Sequence, residues 1–299
     1  MLDVRRLRLL VELSRRGTIA AVAQALAYSP SAVSQQLAVL EKESGSKLLE
    51  PIGRRVRLTP AGELLVERGE RILTELEQAS IALEAAAGSI GGTVRLAAFQ
   101  SAVLTVLPQV LISMRRQHPS LHVEVTEMEP EQSLPALTVG DFDVVLAEEY
   151  PGRPHVRLAG VDRQNVIEDR LQLVVPAAWG ARRIEQVADA EFAMEPVGTA
   201  AREWAEIVCR SAGFEPRVMY TSTDLQIQLR MVDHALAVAL VPELADAASY
   251  QRVVAGPLPG DPVRRIFAAT RAGGFDRPPV AALIAAVRGA SPVTRQVEA

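Results

Sequence analysis

Residues 18–62 read TIAAVAQALAYSPSAVSQQLAVLEKESGSKLLEPIGRRVRLTPAG, and the organisation of the amino-terminal part of the chain can be read from them. Ile19, Val22, Ala23 and Leu26 recur at the spacing that lines one face of a helix. The pattern breaks at Ala27-Tyr28. Ser29-Pro30 restarts it, with a hydroxyl that can cap free backbone N–H groups and a ring whose fixed φ suits a first helical position. The spacing predicts a second helix from about Pro30 to Glu43. Val33, Leu37 and Leu40 form its buried stripe, and Ser31, Ser34, Gln35 and Val39 lie on the opposite face. Two helices crossing steeply through a short turn form the arrangement that lowers the second helix into a DNA major groove.

A face bearing Ser and Gln is ordinarily just a solvated helix surface. The hairpin after it changes the reading. Gly53-Arg54-Arg55-Val56-Arg57 alternates basic and apolar residues beside a glycine, as a short wing lying along phosphates would. Gln can pair bidentately with adenine, and Ser can donate to or accept from bases and phosphates. Charge is partitioned the same way. Residues 1–68 hold eleven Lys and Arg against seven Asp and Glu, a net +4, while the whole 299-residue chain sums to −4. A basic end on an acidic chain marks the part that faces nucleic acid.

These residues carry a family resemblance. Thr18, Leu26, Ser29, Ala32-Val33-Ser34, Leu37, Leu40-Glu41, Gly53-Arg54, Val56, Leu58-Thr59 and Ala61-Gly62 fall in order on the motif of LysR-type transcriptional regulators, which residues 1–88 resemble. Two positions depart from the pattern. Pro51 replaces a usual wing Arg, and Gln35 stands where an Arg often reads bases. Each removes a cation, which lowers non-specific DNA affinity and shifts base preference. The resemblance implies a winged helix-turn-helix domain over 1–59, a linker and dimerisation helix over 60–90, and an α/β effector-binding domain over 91–299. It places Thr18, Ser29, Pro30, Ser31, Ser34, Gln35, Arg54, Arg55 and Arg57 on double-stranded DNA. It also implies a dimer or tetramer of the chain, with RNA polymerase a candidate partner.

Thr59-Pro60 repeats the cap-and-proline signal. Leu65, Ile72, Ala79 and Ala86, interleaved with Gly69, Leu76 and Leu83, keep a heptad spacing. That spacing suits a helix paired with another helix, with Gly69 at a close crossing. The same residues also fit an amphipathic helix packed on its own domain. Gly88 and Gly91-Gly92 end the run and supply a joint.

From Thr93 onward strand-like and helical runs alternate, the signature of βαβ units. Strands are predicted at 93–99, 121–128, 142–147, 171–176, 217–221, 237–241 and 264–272. Helices are predicted at 102–117, 132–139, 204–212, 225–233 and 279–288. Two such sets crossed by two connections suggest paired subdomains around a cleft, I over about 92–161 and 268–299 and II over about 162–267. This matches the family's effector domain, which resembles periplasmic binding proteins. Ligands of such sheets bind beyond the carboxyl ends of strands, near helix N-termini. Gln100, Ser101, Glu148, Thr199, Thr221 and Ser222 occupy those places and are the candidate effector contacts. A carboxylate such as Glu148 in the cleft favours an effector bearing a cation or many hydroxyls over a dianion. The family often has Gly at two positions near the last strand of subdomain II, where this chain has Ala235 and Ala237.

The catalytic motifs G-x-S-x-G, Walker Gly-Lys-Ser/Thr and G-x-G-x-x-G are missing from the sequence. His118, His122, His155 and His234 are scattered, so no metal site, catalytic residue or cofactor is expected. Cys209, the single cysteine, excludes an internal disulfide and fits a reducing cytoplasm. No apolar leader or long apolar span is found, so a cytoplasmic location without membrane contact is expected. The reading is a DNA-binding regulator modulated by an unidentified small molecule. The alternative is an α/β small-molecule-binding protein or enzyme with an N-terminal interaction domain.

Overall fold

A computed structural model describes residues 1–26, 28–52, 55–87 and 90–290, which fall into two compact units, Met1–Ala87 and Gly88–Ala299. The first unit opens with helix α1 (Val4–Arg16), whose first turn is capped by the Asp3 carboxylate accepting from the amides of Arg5 and Arg6. Gly17, at φ 74°, ends it in the left-handed conformation that costs glycine least. Helix α2 (Ile19–Ala25) and helix α3 (Pro30–Ser44) come next, capped by Thr18 and Ser29 as their sequence signals predict. Strands β1 (Leu49–Ile52) and β2 (Arg55–Leu58) pair antiparallel, with Glu50 opposite Arg57. Helix α4 (Pro60–Ala87) completes the unit. Leu10 and Val11 of α1, Val22 of α2, and Val33, Leu37 and Leu40 of α3 share one core with Leu48 and Val66.

Two glycines of α4 are dictated by close approach. A Cβ on Gly62 would stand 2.3 Å from the Leu48 carbonyl oxygen. A Cβ on Gly69 would stand 2.9 Å from Leu7 Cδ1 and 3.1 Å from Val11 Cγ2. The crossing expected at Gly69 is therefore made with α1 of the same unit, and Gly69 does not belong to a seam for a second helix. The exposed apolar stripe of α4 is instead Ile72, Leu76, Ala79 and Leu83.

The second unit runs β3 (Gly92–Ala98), a π-helical turn (Ala102–Val106), α5 (Leu107–Gln117), β4 (Leu121–Glu127), α6 (Pro130–Val139), β5 (Val144–Glu149), β6 (Val161–Pro176) and β7 (Glu191–Met194). It continues with α7 (Ala200–Ser211), β8 (Arg217–Thr221), α8 (Leu225–Asp233), β9 (Val238–Pro242), β10 (Val253–Gly256), β11 (Val263–Arg271) and α9 (Pro278–Gly289). The single helix expected over 102–117 is divided because Pro108 has no N–H for a continuous ladder. The described strands connect in the order β4-β3-β5-β11-β6-β9-β7-β8, with β10 on β6.

Strand β6 serves both halves. Its first ten residues pair with β11 and its last six with β9 and β10. Only 171–176 of it is expected from hydrophobicity, since 161–170 is mostly polar. The partner of β6 changes from β11 to β9 at Arg170/Leu171, and β11 begins at Val263. Strands β7 and β10 are absent from the sequence expectation, being too short to show a period. Each half has its own core: Leu96, Leu146 and Ile266 under α5 and α9, and Leu173, Phe192 and Val238 under α7.

Candidate functional site

Helix α3 shows one side to the core and the other to solvent. Val33, Leu37 and Leu40 are buried, whereas Ser29, Pro30, Ser31, Ser34 and Gln35 are exposed. Thr18 is half-buried, and its hydroxyl caps the start of α2. The wing is anchored to α3 by Glu41. Its carboxylate accepts from the amides of Leu48 (2.9 Å) and Leu49 (3.2 Å) and pairs with Lys47 (3.2 Å). Those hydrogen bonds hold its carboxyl below the usual range although partial burial pushes the other way. Thr59 Oγ1 donates to the Lys47 carbonyl and accepts from the Gly62 amide, fixing the exit of the wing into α4. Arg57 is engaged across the hairpin by Glu50, yet its side chain stays 66% exposed. Arg54 and Gly53 lie outside the described residues, as does the side chain of Arg55. A rod with an exposed amide- and hydroxyl-bearing face beside a basic hairpin can enter a groove of a duplex.

The second unit has a cleft between its two halves. A cavity of about 40 Å³ is lined by Glu129 and Glu131 at the start of α6, Glu148 near the end of β5, Tyr150 just after it, His155, Glu195 after β7, Thr199 at the start of α7, and Thr223. Arg264 of β11 is buried at its base, 1% exposed. Its guanidinium donates to Asp169 (2.7 Å), Ser101 Oγ (2.6 Å) and Glu148, and lies over the Phe99 ring. Burial works against that charge, but Glu148 and Asp169 outweigh it and keep the guanidinium protonated. Burial pushes the Glu148 carboxyl up to about 8; Arg264 opposes this, and Glu195, Glu129 and Asp169 add to it. Burial likewise raises Glu195 to about 7, against a hydrogen bond from Thr199, and raises Glu129 with help from Glu131 and Glu127.

The expected cleft residues divide. Glu148 and Thr199 line the cavity. Ser101 is buried and held by Arg264. Gln100 is a cross-link, donating to Asp224 (2.8 Å) and accepting from the Leu225 amide (2.9 Å), which ties the end of β3 to the start of α8. Ser222 Oγ accepts from the Asp224 amide, and Thr221 is exposed; among the described residues, Thr223 is the one of that segment lining the cavity. Sequence reasoning missed Glu129, Glu131, Glu195, Tyr150, His155 and Arg264. For the glutamates the available signal was position: Glu129-Pro130 opens a helix, and Glu195-Pro196 comes after a buried strand. Arg264 offered no such signal, since its partners arrive from three other segments.

Cys209 is fully buried on α7, and burial pushes its thiol up to about 12. Among the described residues, no cluster of His, Cys, Asp and Glu could hold a metal, and no helix is long and apolar enough to cross a membrane.

Comparison with known proteins agrees with both surfaces. Residues 4–63 match the bacterial regulatory helix-turn-helix protein family of lysR type, and residues 87–292 match the LysR substrate binding domain. The HTH-type transcriptional regulator ClcR of Pseudomonas putida is 28% identical over 256 residues, covering 83% of this chain and 85% of that protein. A probable hydrogen peroxide-inducible genes activator of Mycobacterium avium is 31% identical over 276 residues, covering 87% and 86%. Among solved structures, a full-length OxyR variant from Pseudomonas aeruginosa shares the fold with a TM-score of 0.70 at 22% identity, over 96% of this chain and 95% of that one. Full-length CbnR complexed with its target DNA gives 0.55 at 23% identity, over 97% and 99%. A helix-turn-helix match and a substrate-binding match on one chain, each on the unit where the geometry calls for it, make this protein a DNA-binding transcriptional regulator of the LysR family.

Proposed function

We propose that residues 1–59 read an operator, that 60–90 pair two chains, and that the cleft within 91–299 receives the small molecule controlling both. The carrying observation is the exposed Ser31, Ser34 and Gln35 face of α3, backed by a closed core and succeeded by a basic hairpin. Gln35 reads a base edge. Ser29, Ser31 and Ser34, with Arg54, Arg55 and Arg57, hold phosphates. Duplex DNA is what the solved CbnR complex holds, which supports the same partner here. The exposed apolar stripe Ile72, Leu76, Ala79 and Leu83 on α4 supports pairing with a second copy. Two paired ends then meet half-sites spaced by whole helical turns. RNA polymerase is the further partner this assignment calls for, in the cytoplasm where the gene is transcribed.

Control is a coupling free energy. An effector that binds two arrangements of the dimer unequally shifts their populations, and operator affinity with them. The peroxide named in the mycobacterial relative is not assigned to this chain. Cys209 is its sole cysteine, and that buried, high-pKa thiol does not supply the thiolate that peroxide oxidises.

The test is a mobility-shift titration of the full chain on the DNA upstream of its own gene. Retardation that weakens steeply with salt supports the assignment. Absence of retardation at low salt overturns it.

A further inference from the structure

The acidic character of the cleft is out of proportion to its size. Four carboxylates from separate segments, Glu129, Glu131, Glu148 and Glu195, line a cavity of about 40 Å³, room for roughly three waters. Arg264 is the cation beside them, and it is already shared among Glu148, Asp169 and Ser101. Among the described residues, no Lys or Arg joins the lining. The N-terminal ends of α6 and α7 also reach the lining, each equivalent to about half a positive charge. They do not restore balance. One guanidinium and two helix ends stand against Asp169 and four glutamates, an excess of about three negative charges when all are ionised. An anionic ligand would add to that excess.

We propose that the effector presents an organic cation, a primary ammonium or guanidinium head received by Glu129, Glu131 and Glu195 beside the Tyr150 ring. This rests on the cleft being the effector site. The carboxylates supply acceptors for several N–H donors at once, and a buried aromatic face adds a cation–π contact. A bare metal ion is the poorer occupant, because the described His, Cys, Asp and Glu do not converge as a ligand set. Seating a cation also resolves the carboxyl protonation. Burial and mutual repulsion keep Glu148 and Glu195 partly protonated near neutrality, and an incoming positive charge favours their ionised forms. Binding therefore releases protons, and affinity rises from about pH 6 to about pH 8. The groups facing the carboxyls from the packed segments are Asp169, Arg264, Tyr150, His155 and Glu131.

The experiment is titration calorimetry of the full chain with arginine, agmatine and 1,4-diaminobutane, against succinate, glycerol and calcium chloride, in two buffers of unlike ionisation enthalpy. The expected result is binding of at least one amine or guanidine in the micromolar to millimolar range, with proton release. Glu195→Gln, which keeps the side chain's shape, is expected to weaken it about tenfold, and Glu129→Gln similarly. A tryptophan-fluorescence melt of each ligand-free variant establishes that it folds. The proposal is overturned by no response to any amine at about 10 mM, by binding of succinate or calcium alone, or by cation binding that both variants leave intact. A chain that holds its operator yet binds succinate refutes the ligand class and leaves the regulator assignment standing.

Discussion

Replacing Arg264 with Met removes the charge on which the base of the cleft is built, while keeping an unbranched apolar stem in place of the guanidinium-bearing one. Asp169 is 0% exposed and Glu148 nearly as well buried, and both depend on this guanidinium. Stripping one partner from a buried ion pair costs about 3–5 kcal/mol, because the remaining charge stays desolvated and alone. In a unit of this size that lowers the melting temperature by roughly 6–20 °C. The assay is urea unfolding followed by tryptophan fluorescence. Both tryptophans of the chain, Trp179 and Trp204, belong to the second unit, so the signal reports that unit alone. The sign of the pH dependence is set by the carboxyls. In the wild type, Glu148 (about 8) and Glu195 (about 7) hold protons that the unfolded chain has released above the ordinary 4.5. The folded state binds more protons across that window, so stability falls as pH rises through it. Without Arg264 the orphaned acids are neutralised more readily, so the deficit at pH 7 shrinks at pH 5. Combining Arg264→Met with Asp169→Asn and Glu148→Gln recovers most of the loss. A deficit below about 1 kcal/mol at pH 7, or one that grows on acidification, refutes the reasoning.

Gln35→Ala is expected to relax base preference at one operator position by about 1–3 kcal/mol, while Arg54→Ala with Arg55→Ala weakens binding to all sequences and flattens the salt dependence; mobility shifts on a set of operator variants separate the two. Gly62→Ala forces a methyl onto the Leu48 carbonyl and costs about 1–3 kcal/mol in the amino-terminal unit, read by helical circular dichroism in denaturant. Ala235 sits at φ 55°, so Ala235→Gly relieves about 1–2 kcal/mol of left-handed strain against about 0.5–1 kcal/mol of added chain freedom, a net gain measurable as a higher melting temperature. Cys209 is expected to resist iodoacetamide in the folded chain and to react once urea unfolds it, as mass spectrometry would record.

How far the sequence could be read depended on how local the determinants were. Ser29-Pro30 and Thr59-Pro60 announce helix starts because a cap acts within three residues, and the structure bears both out. Strand β8 and helix α8 match their predicted limits because their periods are intact. The π turn before α5 was invisible, since it results from Pro108 meeting an otherwise ordinary apolar run. The first half of β6 was invisible for the opposite reason: its pairing with β11 is fixed by a segment far along the chain, as Arg170 opposite Val263 shows. The cleft was legible only in part. A strand end suggested Glu148 and a helix start Thr199, whereas the gathering of Glu129, Glu131 and Glu195 around them depends on tertiary placement. Gly69 shows the limit of period alone, because heptad spacing does not say which neighbour a small residue admits.

The continuity of β6 bears on how this regulator responds. A sixteen-residue strand that is hydrogen-bonded in both lobes links them as a common beam, its register with β11 shifting once, between Ile266 and Phe267. Opening the gap around Arg264 bends that shared strand and strains the Gln100 cross-tie, so a change of lobe spacing costs hydrogen-bond energy. An occupant that favours one lobe spacing must offset that cost, and the difference between spacings is the free energy by which it selects one arrangement of the chain over another.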